Sequence, residues 1–121
     1  MANAPLPIGI DLGTTYSACA VFRNGATQIV PNALGESLTP SVVGLDDDGA
    51  LLVGRPARER LISHPPFTSA FFKRIMGSNA KVMLGDRRRR EFSATELASL
   101  VLRSLKEDAE RLLGLRPKAV N

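Results

Sequence analysis

The sequence predicts an α/β or α+β fold, with strands first and helices mixed with short strands after them. Three observations carry that prediction. Ile8, Ile10 and Leu12 alternate with Gly9, Asp11 and Gly13, which is the period of a strand with one apolar face. Asn24-Gly25 separates two strand-like runs, and both residues suit the positive φ values that a two-residue hairpin demands. From Ser93 onward, apolar residues recur at three- and four-residue spacing, the period of a helix face.

The elements follow in order. After the first strand, residues 16–22 read as a second and residues 27–30 as its returning partner. Residues 31–39 are rich in turn formers and read as a loop. Residues 41–45 and 51–53 form a short hairpin around the turn at 46–49. Residues 56–62 read as a helix, with Pro56 in the first turn, where its missing N–H costs little. His64-Pro65-Pro66 ends that helix. Residues 69–76 are predicted to form a short helix closed by Gly77, and residues 81–84 and 89–92 a small hairpin around Gly85-Asp86. Ser93 and Glu96 have the spacing of a capping box. Leu97, Leu100, Val101, Leu105, Ala109 and Leu112 then form the apolar stripe of the last helix. Gly114 is its C-cap, Pro117 prevents continuation, and Ala119-Val120 looks like the start of a further strand. No internal repeat and no domain boundary is visible.

Composition narrows the class. The chain has 121 residues, of which 44% are hydrophobic and 23% charged, a balance that supports a core. No apolar run approaches the roughly 20 residues of a membrane span, and residues 1–7 do not look like a signal peptide. Cys19 is the only cysteine, so no internal disulfide forms, and a reducing cytoplasm is the simplest compartment. The net charge of +4 is owed to one cluster, Arg87 to Arg90. No aromatic residues interleave with it and a turn precedes it. It therefore reads as a solvated turn or edge strand before it reads as a nucleic-acid surface, though a module binding acidic partners is the alternative.

Chemistry concentrates in residues 9–17, Gly-Ile-Asp-Leu-Gly-Thr-Thr-Tyr-Ser. Strand alternation puts Asp11 between Gly9 and Gly13, two positions without side chains, so a ligand can approach the backbone. Thr14 and Thr15 add hydroxyls and backbone N–H donors. Such a set suits a phosphate with its Mg²⁺, the carboxylate holding the metal through water. It is not a Walker A loop, because G-x-x-x-x-G-K-[ST] is absent and the turn joins two strands. A plain hairpin with a polar tip remains the alternative. On a helix over residues 69–76, Phe72, Ile75 and Met76 share one face and Lys73 stands at its edge. From there Lys73 either reaches into a cleft or extends into water. His64 has no ligand partners at metal spacing, and Asp46-Asp47-Asp48-Gly49 lacks the ligand alternation of a calcium loop.

Several stretches, in order, resemble the Hsp70 chaperone family. Residues 8–17, IGIDLGTTYS, look like its first phosphate loop, and residues 32–43, NALGESLTPSVV, like the loop and strand that follow. Gly54-Arg55-Pro56-Ala57 is similar to the family's G-x-x-A helix start, residues 72–77, FKRIMG, to its K-R-x-x-G segment, and residues 93–113 to its helix before the next central strand. Asp-x-Gly-Thr-Thr alone is shared with sugar kinases and actin relatives; the ordered set is specific. The short segment 81–92 departs from typical members and resembles a divergent bacterial branch related to HscC.

The resemblance implies an α/β fold belonging to an actin-like ATPase (ribonuclease H-like) domain, a mixed sheet with hairpins plus helices. Residues 1–121 would be the incomplete N-terminal part, lobe I, of the nucleotide-binding domain. It implies ATP/ADP and Mg²⁺ as cofactors in the complete domain. Asp11 would hold the Mg²⁺ shell, Gly13, Thr14, Thr15 and Tyr16 would contact the β- and γ-phosphates, and Lys73 would orient the attacking water. The parent would be a cytoplasmic chaperone hydrolysing ATP to control its grip on unfolded peptides, with co-chaperones of the J-domain and nucleotide-exchange type. The second phosphate loop and the adenosine pocket lie outside these residues. The isolated piece is expected to be inactive and to self-associate through open sheet edges. A carbohydrate kinase of the same superfold is the competing expectation.

Overall fold

The computed structural model describes residues 7–114. The expectations for Pro117 and for Ala119-Val120 lie outside those residues.

The chain opens with β1 (Ile8–Leu12), β2 (Tyr16–Arg23) and β3 (Ala26–Ile29) in an antiparallel meander. Asn24 and Gly25 take φ of 55° and 75°, so the hairpin has the two positive-φ residues its sequence demanded. A two-residue strand, β4 (Thr39–Pro40), pairs with Tyr16 and Ser17 on the edge of β2 that also carries β3. The loop before it is shaped by Asn32, whose Oδ1 accepts the backbone N–H groups of Leu34 and Glu36, both at 3.0 Å.

The second sheet places β5 (Val42–Leu45) between β6 (Leu51–Val53) and β7 (Thr68–Ala70), all antiparallel. The Asp46–Gly49 turn is held by Asp46 Oδ1, which accepts from the backbone of Asp48 and Ala50 at 2.9 and 2.8 Å. These aspartates thus build a turn, with Asp47 pairing to Arg60 at 3.1 Å. Two short helical pieces, α1 (Arg55–Arg58) and α2 (Arg60–Ser63), occupy the predicted helix, and a 3₁₀ turn (Pro65–Phe67) follows at the two prolines.

The predicted helix over residues 69–76 is not formed. Thr68–Ala70 instead pairs with β5, and a four-residue 3₁₀ turn (Phe72–Ile75) follows. The β5 edge supplies non-local hydrogen bonds that outweigh a weak local helix preference. Phe72 is buried as expected, but Met76 is exposed and shares no buried face with it.

The third sheet is the hairpin of β8 (Lys81–Leu84) and β9 (Arg90–Ser93). Its arginine-rich turn and the Asp46–Gly49 turn line one groove of about 620 Å³. Arg90 donates to the Gly49 carbonyl at 3.1 Å and stacks over Phe92. Four aspartates line that groove with the four arginines, so its charges balance.

The last helix, α3 (Ala94–Leu112), begins with the complete capping box: Ser93 Oγ accepts from Glu96 N–H, and Glu96 Oε1 accepts from Ser93 N–H, both at 3.0 Å. Those hydrogen bonds, with Lys81 nearby, hold the Glu96 carboxyl below its ordinary range. The cap is therefore intact at neutral pH and weakens as acid protonates Glu96. Leu97, Val101, Leu105 and Ala109 are buried against Cys19 and Val21 of β2 and Val43 and Leu45 of β5, so one helix seals both larger sheets into a shared core.

One buried residue was not anticipated. Asp108 lies on the same face of α3, is 4% exposed, and accepts from Arg111 at 3.1 Å. Burial pushes its carboxyl above the ordinary value of 3.8 despite that partner, and burial with the Asp108 charge also raises the Cys19 thiol. A raised carboxyl binds a proton more readily folded than unfolded. Its contribution is thus largest below pH 3.8 and is lost as pH rises through the folded pKa. Asp108→Asn should remove that component: measured by denaturant melts, the variant gains stability relative to the parent as pH rises from 4 toward 7, and a difference flat across that range would refute the assignment.

Candidate functional site

The bend between β1 and β2 is built for close approach. A Cβ on Gly13 would stand 2.2 Å from the Tyr16 carbonyl oxygen, so only glycine permits this turn. The bend is tied down by Ser41, just after β4. Its Oγ donates to the Gly13 carbonyl at 2.8 Å and lies 2.8 Å from Ser17 Oγ, while its backbone N–H donates to the Thr15 carbonyl at 2.9 Å. Ser17 and Ser41 are both buried. Ser41→Ala should cost about 1–3 kcal/mol, because the Ser17 hydroxyl and the Gly13 carbonyl lose a partner in a dry place. Equilibrium urea unfolding measures it, and a loss under a few tenths of that range would mean that the bend holds without this node.

Asp11 pairs across the sheet with Ala18, and Gly9 with Ala20. On an antiparallel pair, directly opposed residues share a face, so Asp11 stands exposed over a floor of Gly9, Ala18 and Ala20. A Cβ on Gly9 would meet nothing within 4 Å. Tyr16 lies on the same face two residues before Ala18. The opposite face carries Ile8, Ile10 and Leu12, yet Ile8 and Ile10 remain 42% and 40% exposed.

Lys73 arrives from 61 residues away. Its Nζ donates to the Leu12 carbonyl at 2.5 Å, which sets an ammonium group at the end of β1, between Asp11 and Gly13 in sequence. The route is not the helix edge expected from periodicity. Phe71 takes a left-handed φ of 59°, unusual for a bulky residue, and the 3₁₀ turn after it aims Lys73 at the bend while Phe72 anchors in the core. Phe71 also lines a cavity of about 140 Å³ with Thr14, Thr15, Ser41 and Arg58.

The structure therefore brings Asp11, Gly13, Thr14, Thr15, Tyr16 and Lys73 to one bend. A carboxylate, an ammonium group, two hydroxyls and a bare backbone around an open floor fit a phosphate and its divalent cation. Sequence reasoning assigned no role to Ser41 or Arg58. Ser41 stands directly after Thr39-Pro40, which is the only local signal it offers. The other candidates stay apart from the bend. His64 is occupied by Ser63 Oγ at 2.7 Å and an edge contact with Phe67, and Cys19 is buried in β2. Among the described residues, no helix is long and apolar enough to cross a membrane.

Comparisons with known proteins agree on one family. The family model described as Hsp70 protein matches residues 7–120. The chaperone protein DnaK of Thermotoga neapolitana is 42% identical over 108 residues, covering 88% of this chain and 18% of the relative. DnaK of Thermotoga maritima gives the same figures, and DnaK of Endomicrobium trichonymphae is 42% identical over 111 residues, 88% of this chain and 17% of the relative. The chain thus spans under a fifth of the length of the curated relatives it matches. The matched span takes in the first hairpin, Ser41, the Lys73 turn and α3: the chain belongs to the Hsp70 family.

Proposed function

We propose that this chain is the N-terminal part, lobe I, of an actin-like ATPase domain in a cytoplasmic Hsp70-type chaperone. The longer protein would couple ATP hydrolysis to its hold on unfolded peptides and work with J-domain and nucleotide-exchange partners. The observation that carries this reading is the Lys73 ammonium group on the Leu12 carbonyl, beside Asp11 and the Gly13 bend. The shortness of segment 81–92 supports placing the protein near the HscC-related branch, while the Arg87 to Arg90 run has no family explanation and the relatives named above are DnaK chaperones.

In this reading Asp11 would hold Mg²⁺ through its water shell, and Gly13, Thr14, Thr15 and Tyr16 would offer N–H and O–H donors to the β- and γ-phosphate oxygens. When bound, Mg²⁺ offsets phosphate charge and draws electron density from the transferring group. Lys73 orients the attacking water and stabilises charge that grows on the equatorial oxygens, so positioning and electrostatics do most of the work. These residues supply one wall of the cleft, and turnover is the property of the complete domain. The test is Mg-ATP hydrolysis by the full-length protein with and without an unfolded peptide. Peptide-stimulated ADP release is expected. Hydrolysis driven by a sugar and indifferent to peptide would overturn the reading.

A further inference from the structure

A second cation stands at the same bend, and no role has been given to it. Arg58 ends α1, whose start is fixed by hydrogen bonds from the N–H groups of Ala57 and Arg58 to the Gly54 carbonyl, and whose Ala57 is fully buried. From that anchored turn Arg58 Nη1 donates to the Tyr16 phenol oxygen at 2.7 Å. Its guanidinium carbon lies 5.4 Å from the Tyr16 ring centroid, within reach of a cation–π contact. One side chain thus grips both the edge and the face of Tyr16. Arg58 also lines the small cavity that Thr14 and Thr15 share with Phe71.

The charge of Arg58 is not consumed by a carboxylate. Among the described residues, Arg55 pairs with Glu36 at 3.0 Å, Arg60 with Asp47 at 3.1 Å and Arg111 with Asp108 at 3.1 Å. Arg58 has no such partner there; its polar contact is the neutral phenol. Tyr16 shares its face of the sheet with Ala18 and so with Asp11. A guanidinium with no ion-pair partner among the described residues is therefore held at Tyr16, and the Arg58 side chain lines one cavity with the two threonines that end the bend.

We propose that Arg58 is a positioning and selectivity residue of the phosphate site. It clamps Tyr16 and places a fixed positive charge beside Thr14 and Thr15, which favours the more highly charged of two nucleotides, a triphosphate over a diphosphate. This inference rests on the ATPase reading above. Lys73 approaches the bend from the Leu12 side, whereas Arg58 approaches from the Tyr16 side, so the two cations flank it.

The test compares Mg-ATP and Mg-ADP affinities by titration calorimetry in the full-length protein, for wild type, Arg58→Ala and Arg58→Lys. Arg58 is solvent-exposed, so screening limits the effect. Arg58→Ala should weaken ATP binding about fivefold and ADP binding less, lowering the preference for ATP. Arg58→Lys should restore most of that preference, since it keeps the charge while losing the planar fork. A merely structural clamp would weaken both nucleotides alike and leave their ratio unchanged, and that result would overturn the inference alone. A wild-type protein that binds neither nucleotide would overturn the ATPase reading and this inference with it.

Discussion

Replacing Lys73 with alanine is expected to lower single-turnover ATP hydrolysis by the full-length protein about 10²–10³-fold, the loss typical when one preorganised charge is taken from a developing oxyanion. Binding should change little by comparison. Lys73 meets the Leu12 carbonyl, and Gly13, Thr14 and Thr15 are fixed by backbone geometry and Ser41, none of which requires the ammonium group. Calorimetric affinity for Mg-ATP within a fewfold of wild type, together with the slow chemical step, would place Lys73 in the transition state and not in ground-state binding. Lys73→Arg should rescue poorly, because a planar fork on a longer arm does not reproduce a compact ammonium group at one carbonyl. Wild-type turnover in Lys73→Ala would remove this residue from the mechanism.

Leu97→Ala should cost about 2–5 kcal/mol, the range for a buried leucine whose site cannot fully collapse. Leu97 is fully buried on α3, in the cluster that joins Val43 and Leu45 of β5 to Cys19 and Val21 of β2. A cavity there separates the helix from both larger sheets at once. Proteins of this kind hold only about 5–15 kcal/mol in total, so the variant forfeits a large fraction of what keeps it folded. Denaturant midpoints measure the loss. Leu97→Met, which keeps nearly the same volume, should retain most of the stability. Equal destabilisation by Met and Ala would show that volume is not what the site requires.

Local chemistry was legible in the sequence; long-range pairing was not. The Asn24-Gly25 hairpin and the Ser93–Glu96 box were readable because each is decided within four residues. Ser69-Ala70, the end of a strand, was misread as the start of a helix because its partner, β5, lies more than 20 residues away. The same error hid the path of Lys73, since only the strand followed by a left-handed Phe71 delivers the side chain to Leu12. Ile8 and Ile10 marked a strand correctly, but their partial exposure is set by long-range packing that alternation does not reveal. Asp108 could have been found. It falls three residues after Leu105 and seven after Val101, squarely on the apolar stripe, and a carboxylate there is a buried carboxylate.

Ser41 touches the backbone at Gly13 and Thr15 and the hydroxyl of Ser17, and it leads directly into β5. To shift that bend, a ligand would have to drag a second sheet along with it. The bend therefore behaves as an anvil and not as a jaw. On the ATPase reading proposed above, any movement that closes on a nucleotide would be made against a surface already set by these hydrogen bonds.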